Sequence, residues 1–300
     1  MLLQSMYPMV DFRSFIESDL IPFLFAVIRV KALFFLIICS SQTFAAEAPV
    51  PARIISLSPA TTEILFALGM GDRIVGVTNF CDHPEGAKKI QKIGGMSNPS
   101  LEAIVGLKPD LVVMTTDGNP REVDDRLRAM GLRTYVWTAR KLSELPEGIR
   151  ALASALGIPD RGERLAAEME RGLAAFHPRA MPSAGAKVVY IVWPEPLMIA
   201  GPGTAIDDAI VQLGLRNVAS RAGSSYPRYS IEELIREAPE VIFIGKGSGM
   251  DMQAVSQGIL KKLAAVPAVR NNRVCYVSDN LYRLGPRVIK GIEELAACIQ

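Results

Sequence analysis

Histidine and tryptophan are scarce in this sequence, with two of each among 300 residues, and aromatic residues make up only 7%. Sites that hold transition metals usually draw several ligands from histidine, cysteine and carboxylate side chains. His83 stands in the segment Cys81-Asp82-His83-Pro84, whose consecutive side chains cannot all reach one ion without an unusual loop. His177 ends a predicted helix and is expected to face solvent. No metal site is therefore expected, and the segment around His83 is predicted to be a loop at the surface or at a pocket rim.

An excess of charge of one sign is also absent, because the formal net charge is +2 and no dense stripe of lysine and arginine occurs. Nucleic acid is therefore not an expected partner. Common enzyme motifs are missing: there is no GxSxG turn, no Walker loop and no HExxH helix. The glycine-rich segment 245–249 lacks the third glycine of the dinucleotide motif, so a plain loop is favoured over a phosphate site. The protein is predicted not to be an enzyme, with an exported α/β hydrolase or oxidoreductase as the remote alternative.

Uninterrupted apolar stretches of about 20 residues, which a membrane-spanning helix needs, do not occur, because Arg29 and Lys31 break the one candidate. These cations precede a short apolar segment at 32–39. Thr43-Phe44-Ala45-Ala46 follows, with the small residues of a cleavage site. This order is typical of a secretory signal peptide.

Residues 1–45 are thus predicted to be a signal peptide cleaved after Ala45 or Ala46, which places the mature protein in the periplasm. The segment is unusually long, so a misassigned start codon is one interpretation. An uncleaved anchor is the alternative to cleavage. A lipid on Cys39 is disfavoured, because Ile38 before it is bulkier than the small residue that such sites use.

The sequence has four cysteines, of which the mature chain would keep Cys81, Cys275 and Cys298. An odd count in an exported protein leaves at least one thiol unpaired. Cys275 and Cys298 both fall in the C-terminal part, so they are the favoured pair if a disulfide forms. The pairing stays open at this point, because it depends on geometry.

One segment of 16 residues occurs twice without a gap, at 100–115 and at 230–245. The copies share polar and proline positions: Ser100 with Ser230, Glu102 with Glu232, Pro109 with Pro239, and Asp110 with Glu240. The spacing of 130 residues exceeds that of stacked repeats and fits a duplicated domain. Two similar lobes tend to bind a ligand between them, because pockets favour domain interfaces.

Each copy predicts a helix followed by a buried strand. The serine can cap the helix, and the glutamate two positions on falls in the first turn, where the helix dipole favours a carboxylate. The proline then ends the helix, and the apolar runs LVVM and VIFI are typical of strands buried on both faces of a parallel sheet. Further strands are predicted at 54–57, 73–77, 135–137, 187–192, 217–219 and 274–277. The sequence therefore predicts an α/β protein with two similar lobes, each with a central, mostly parallel sheet.

The predicted organisation after the signal peptide has three parts: an N-terminal lobe at 50–141, a helical connection at 142–180 and a C-terminal lobe at 186–300. The connection is predicted as two helices, at 142–157 and 160–176, without a Gly/Ser-rich linker. The second would span roughly 25 Å, so only small movements between the lobes are expected.

Four segments in order resemble the successive blocks of a known family: RIISLSPATTEILFALG, VGVTNFCDHPEGAKKI, GGMSNPSLEAIVGLKPDLVV and NRVCYVSDNLYRLGPRVIKGIEELA. The family is that of the helical-backbone solute-binding proteins, the periplasmic components of ABC importers for cobalamin, haem and ferric siderophores. The resemblance covers nearly the whole mature chain and is greatest to the cobalamin-binding branch. It implies two lobes bridged by one long helix. It also implies a monomer without catalytic activity or cofactor, whose transported ligand is cobalamin or a related corrinoid and whose partner is a permease dimer of the inner membrane.

The resemblance also implies a set of ligand-binding residues, expected in loops at strand ends. Six positions match the cleft lining of cobalamin binders: Phe80, Met96, Trp193, Met198, Tyr226 and Arg283. Met96 and Thr115 stand where aromatic residues can occur in the family, so the pocket is less aromatic. A ferric siderophore or haem is therefore the alternative ligand, with Tyr226 or His83 as the candidate axial ligand of haem. Ordinary core packing is the alternative role for each aromatic residue.

Glu102 and Glu232 match the surface glutamates, one on each lobe, that dock onto permease arginines in this family. The alternative role is stabilisation of the helix dipole, worth about 0.3–1 kcal/mol each. The two roles are compatible.

Overall fold

The computed structural model describes residues 49–176, 183, 185–246 and 251–299. The predicted signal peptide at 1–45, the predicted solvent-facing His177 and most of the glycine-rich segment 245–249 lie outside the described residues.

The N-terminal lobe contains a parallel sheet with helices on its faces. Its strands are β1 Ile54–Ser56, β2 Ile74–Val77, β3 Leu111–Thr115 and β4 Thr134–Trp137. Its helices are α1 Pro59–Ala67, α2 Leu101–Gly106 and α3 Arg121–Ala129. The strand order is β2-β1-β3-β4, and every neighbouring pair is parallel. The residues of β1 and β3 are all buried, as expected for apolar strands covered on both faces.

The connection between the sheets is helical. It consists of a 3₁₀ turn at Leu142–Glu144, then α4 Leu145–Ala155 and α5 Pro159–Ala174. The prediction of one helix at 142–157 was wrong at its start: α4 begins only at Leu145, with Pro146 in the first turn, where proline removes no needed N–H bond. Gly162 of α5 lies so close to Ala153 of α4 that a Cβ at this glycine would collide with it. The two helices therefore pack directly against each other.

The C-terminal lobe repeats the arrangement and adds one antiparallel strand. Its strands are β5 Lys187–Pro194, β6 Leu197–Ile199, β7 Arg216–Asn217, β8 Val241–Gly245 and β9 Val274–Val277. Its helices are α6 Ala205–Gln212, α7 Ile231–Glu237, α8 Met252–Lys262, α9 Pro267–Arg270 and α10 Val288–Ile299. The order is β6-β5-β8-β9 with β7 also beside β5, and only the β5–β6 pair is antiparallel within the described sheet. β6 was not predicted, because its three apolar residues follow β5 too closely to stand out.

The sequence repeat is also a repeat of backbone geometry. Ser100 caps α2 and Ser230 caps α7, and each hydroxyl accepts a hydrogen bond from the backbone N–H three residues on. Lys108 and Ala238 follow these helices with positive φ angles of 47° and 50°. Non-glycine residues rarely adopt this conformation, so its occurrence at both matched positions supports a duplication.

Matched carboxylates also fix the start of matched strands. Asp110 accepts a hydrogen bond from the backbone N–H of Arg53 at 2.8 Å, and Glu240 accepts one from that of Lys187 at 3.0 Å. Arg53 precedes β1 and Lys187 begins β5, so the acidic residue of each repeat holds the equivalent strand in place.

The main apolar core runs through both lobes without interruption. It includes Ile54 of β1, Leu152 of α4, Val188 of β5 and Ile206 of α6, all fully buried. Smaller clusters lie on the other faces of the sheets. The helical connection formed by α4 and α5 is thus part of the apolar core and not a flexible linker between the lobes. No helix in the described ranges combines the length and apolarity needed to cross a bilayer.

Candidate functional site

A cleft of about 380 Å³ lies between the two sheets. Its N-terminal wall comes from segments that follow β1, β2, β3 and β4, because the carboxyl ends of parallel strands meet at one edge of a sheet. Its other wall comes from the segment before α6, the segment around Tyr226, and residues 281–284. The lining residues that carry polar or aromatic side chains include Phe80, Asp117, Arg140, Ser225, Tyr226, Tyr282 and Arg283.

Asn119 does not line the cleft but holds the backbone of its N-terminal wall through side-chain hydrogen bonds. Its side-chain carbonyl accepts a hydrogen bond from the backbone N–H of Thr115 at 2.8 Å, and its amide donates to the carbonyl of Met96 at 2.8 Å. Gly118 before it has a φ of 101°, and a Cβ there would come within 2.8 Å of the Met96 methyl carbon. Asn119 is 9% exposed, so it positions the wall that Met96 and Thr115 present. Sequence reasoning missed this residue, because an asparagine in a turn carries no distinctive pattern.

Phe80 lies at the rim of the cleft and is 58% exposed. Arg283 from the opposite wall donates a hydrogen bond to the Phe80 carbonyl at 3.2 Å and one to Asp82 at 2.6 Å. The neighbouring Cys81 is buried and lies 3.2 Å from the Thr62 hydroxyl. The Phe80 ring is therefore presented by a loop that is anchored on both lobes.

Five charged residues around this rim form what we call the interlobe ion cluster: Glu63, Asp82, Asp279, Arg283 and Arg287. Glu63 of α1 is 4% exposed. Arg287 donates to both of its carboxylate oxygens, at 2.8 and 2.9 Å, and Arg283 donates to one at 3.3 Å. A buried carboxylate of the N-terminal lobe is thus neutralised by two guanidinium groups of the C-terminal lobe.

The cluster also changes proton affinities. Burial tends to raise the pKa of Asp82, but the hydrogen bond and the charge of Arg283 together hold that pKa below its usual range. The hydrogen bond to Glu63 raises the pKa of Arg287 further, against the effect of burial. Arg283 is therefore engaged in ion pairing at the rim, while it also lines the cleft.

Two tyrosines give the opposite wall its aromatic surface. Tyr226 is 42% exposed, and its partial burial together with the charge of Asp117 raises the pKa of Tyr226 to about 12. Tyr282 packs edge-on against the buried Tyr190, with ring centres 6.1 Å apart. Among the described residues, the Tyr282 hydroxyl is the one buried side-chain polar atom without a hydrogen-bond partner. The wall thus offers two aromatic faces, while the Tyr282 hydroxyl itself lies buried beside Gly245 of β8.

Trp193 and Met198 lie elsewhere. They pair with each other across β5 and β6, and the Trp193 indole donates to the Glu195 carbonyl at 2.7 Å. The prediction that these two residues lie in loops was wrong, because the chain turns back after β5 into the unpredicted β6. Neither is among the residues that line the cleft, whereas Phe80, Met96, Tyr226 and Arg283 are brought together there.

Glu102 and Glu232 lie on the surface, in the first turns of α2 and α7. Neither carboxylate pairs with a lysine or arginine in the part of the chain that the structure describes. Val105 and Ile235, one turn further on the same helix faces, are 44% and 41% exposed. Each lobe therefore carries a carboxylate beside an exposed apolar side chain at the matched place.

His83 is exposed and is not part of the cleft lining. Within the described ranges, no group of three or more His, Cys, Asp and Glu side chains is placed to hold a metal ion.

The family model described as periplasmic binding protein matches residues 54–281. This chain belongs to the periplasmic binding protein family. A curated relative, the vitamin B12-binding protein of Vibrio parahaemolyticus, is 30% identical over 257 residues, which cover 85% of this chain and 91% of that protein. The predicted family is therefore confirmed, and the family is one of binding proteins.

Solved structures confirm the fold. The periplasmic vitamin B12-binding protein BtuF of Vibrio cholerae has a TM-score of 0.73 and 26% identity, covering 84% of this chain and 98% of that one. The apo periplasmic heme-binding protein RhuT of Roseiflexus sp. RS-1 has a TM-score of 0.73 and 34% identity, covering 82% and 97%. The two-lobe α/β architecture is shared by proteins named for different ligands.

Proposed function

We propose that this protein is a periplasmic receptor that binds a corrinoid, such as cobalamin, in the cleft and delivers it to an ABC importer. The observation that supports this most directly is the cleft itself, whose aromatic and apolar walls meet a polar rim. Curated relatives named vitamin B12-binding protein match over most of the chain, and they support the choice of ligand.

The cleft suits a flat macrocycle with polar substituents. Phe80, Met96 and Tyr226 offer apolar contact to a ring face, since aromatic side chains bury large areas. The Asp117 carboxylate and the Ser225 hydroxyl, which line the cleft, can exchange hydrogen bonds with the amide groups that surround a corrin ring. A volume of about 380 Å³ lies at the lower end of the range for ligand sites, so a corrinoid would keep its outer edge in solvent.

Haem is the second candidate, favoured by the 34% identity to RhuT. A ferric haem that is held by a tyrosine needs an anionic phenolate. The pKa of Tyr226 is instead raised to about 12, through burial and the nearby Asp117 carboxylate. His83, the other candidate axial ligand, lies outside the cleft lining. A corrinoid needs no axial ligand from the protein, and the cleft therefore supports it better.

The test is calorimetric titration of the purified protein with cyanocobalamin, ferric haem and a ferric siderophore in parallel. Two methionines provide a matched comparison, because Met96 lines the cleft and Met198 does not. Met96→Ala should weaken cobalamin binding several-fold, as should Phe80→Ala and Tyr226→Ala, while Met198→Ala should leave the affinity unchanged. Binding of haem or a siderophore without binding of cobalamin would overturn the ligand assignment and leave the fold assignment intact.

We propose further that Glu102 and Glu232 dock the protein onto a permease dimer. The sequence repeat places the two glutamates equivalently on the two lobes, each with an exposed apolar neighbour, Val105 or Ile235. A dimeric permease would offer two equivalent contact points, so a single receptor chain can match both of them. This supports a monomer as the docking form.

The proposed location is the periplasm, reached through removal of residues 1–45. Relatives of the chain are periplasmic binding proteins, which supports this location. N-terminal sequencing of the exported protein should find a start near Ala46 or Glu47. A mature chain that keeps Met1 or carries lipid on Cys39 would contradict the proposal.

A further inference from the structure

Two cysteines meet where the C-terminal helix packs on the edge strand of its sheet. Cys275 lies in β9 and Cys298 lies in the last turn of α10. The Cys275 thiol donates to the Cys298 carbonyl at 3.9 Å. Both side chains are half-buried against the main core, and both are free thiols in this structure. The Cys275 sulfur therefore lies next to Cys298, and solvent can reach both of these oxidisable thiols in part.

The third described cysteine has different surroundings. Cys81 is 1% exposed, and its sulfur lies 3.2 Å from each of the Thr62 and Thr78 hydroxyls. A thiol enclosed in this way is poorly accessible to an oxidant. Cys81 therefore serves as an internal control for the other two.

The two sulfur atoms are also chemically unequal. A hydrogen bond between the two side chains lowers the pKa of the Cys298 thiol, against burial and the charge of Glu294. The same hydrogen bond, followed by burial, raises the pKa of Cys275. Since the thiolate is the nucleophile in disulfide exchange, Cys298 is the expected attacking residue and Cys275 the proton donor beside it.

We propose that Cys275 and Cys298 are a redox-sensitive pair that a disulfide-bearing oxidant, such as oxidised glutathione or a protein disulfide, converts into an intrachain disulfide. The Cys298 thiolate attacks one sulfur of the oxidant, its S–S bond breaks, and one thiolate leaves. Cys275 then loses its proton and attacks the mixed disulfide at Cys298, which releases the second thiol. One disulfide and two thiols are consumed, and one disulfide and two thiols are formed. This inference does not depend on which ligand occupies the cleft.

The crosslink would act on the cleft. It closes a loop over residues 276–297, which contains the lining segment 281–284. Glu294 inside this loop already accepts hydrogen bonds from the Ser278 N–H at 2.7 Å and from the Asn280 amide at 2.9 Å. Closing a loop of this length restricts the unfolded chain. Oxidation should therefore raise the thermal midpoint by about 5–10 °C, with the cleft segment held more firmly.

The test begins with the full chain, incubated with oxidised glutathione, alkylated and digested with trypsin. Peptides 274–283 and 291–300 each contain one of the two cysteines. The expected product is a single crosslinked species of these two peptides, with Cys81 recovered in alkylated form. Cys275→Ser should instead trap one glutathione on Cys298, since the second step has lost its thiol.

Thermal unfolding supplies an independent readout. Oxidised protein should melt several degrees above the same protein treated with reductant, and the difference should vanish in Cys275→Ser and in Cys298→Ser but persist in Cys81→Ser. The proposal is overturned if both peptides remain alkylated after oxidation, if glutathione adds without forming the crosslink, or if a crosslink joins Cys81 instead.

Discussion

Glu63 is the buried carboxylate at the centre of the interlobe ion cluster. Its side chain is 3% exposed and contacts Arg283 and Arg287. Glu63→Ala would leave both guanidinium groups without this carboxylate in a largely desolvated place. Loss of one partner from a buried ion pair typically costs about 3–5 kcal/mol. Because Arg287 keeps Asp279 and Arg283 keeps Asp82, we expect the lower end, about 3 kcal/mol.

For a chain of this size, about 3 kcal/mol corresponds to a fall of roughly 6–12 °C in the thermal midpoint. The assay is calorimetric or circular-dichroism melting in parallel with urea unfolding. Glu168→Ala is the matched control, because Glu168 is an exposed residue in the middle of α5 and surface changes are usually within about 0.5 kcal/mol. A double-mutant cycle with Arg287→Ala would isolate the coupling between the two residues.

A loss below about 1 kcal/mol for Glu63→Ala would refute the reasoning. It would mean that the cluster behaves as a surface ion pair and that the lobes are held together by apolar packing alone.

Three further predictions concern docking, rigidity and pH. Replacing Glu102 and Glu232 together with alanine should leave ligand affinity and melting temperature nearly unchanged while stimulation of the transporter's ATP hydrolysis falls; the pair Val105→Ser and Ile235→Ser should act in the same direction. If the glutamate double variant transports normally, the two residues only stabilise the starts of their helices and do not dock the permease. If it loses ligand binding, the two residues belong to the ligand site and not to a docking surface. Small-angle scattering should give nearly the same radius of gyration with and without cyanocobalamin, whereas a contraction of several ångströms would show a hinge. Since the pKa of Asp82 is lowered in the fold, its ion pair stabilises the protein fully above the ordinary aspartate pKa of about 4. Asp82→Asn should therefore be less stable than the parent at pH 7, and the difference should shrink as the pH falls through the lowered pKa. A difference that is constant with pH would argue against the assigned role.

Local signals in the sequence were sufficient for most of the fold. The apolar runs at 111–114 and 241–244 gave β3 and β8, because strands buried on both faces need continuous apolar residues. Ser100 and Ser230 gave the helix starts, since capping is a short-range interaction. The secondary-structure predictions failed where pairing with a neighbouring element determines the local structure. β6 forms because it can pair with β5 in the antiparallel direction. Its three residues are too few to show a strand pattern in the sequence.

The site was predictable only in part, because its residues act across long sequence distances. Phe80, Met96, Tyr226 and Arg283 came from family resemblance and were brought to one cleft by the fold. Glu63 was overlooked, since it sits in an ordinary helical segment and its partner Arg287 is 224 residues away. No local pattern in the sequence links such positions, and only the packing of the N-terminal lobe against the C-terminal lobe brings the two side chains together.

The continuous core has a consequence for how the chain acquires its structure. Strand β1 and helix α4 bury their apolar faces in the same cluster as β5 and α6, so a chain that has emerged only as far as α5 still lacks the C-terminal residues of that cluster. The N-terminal lobe is then not an independent folding unit, and the nascent protein stays incompletely packed until the residues beyond 215 are present.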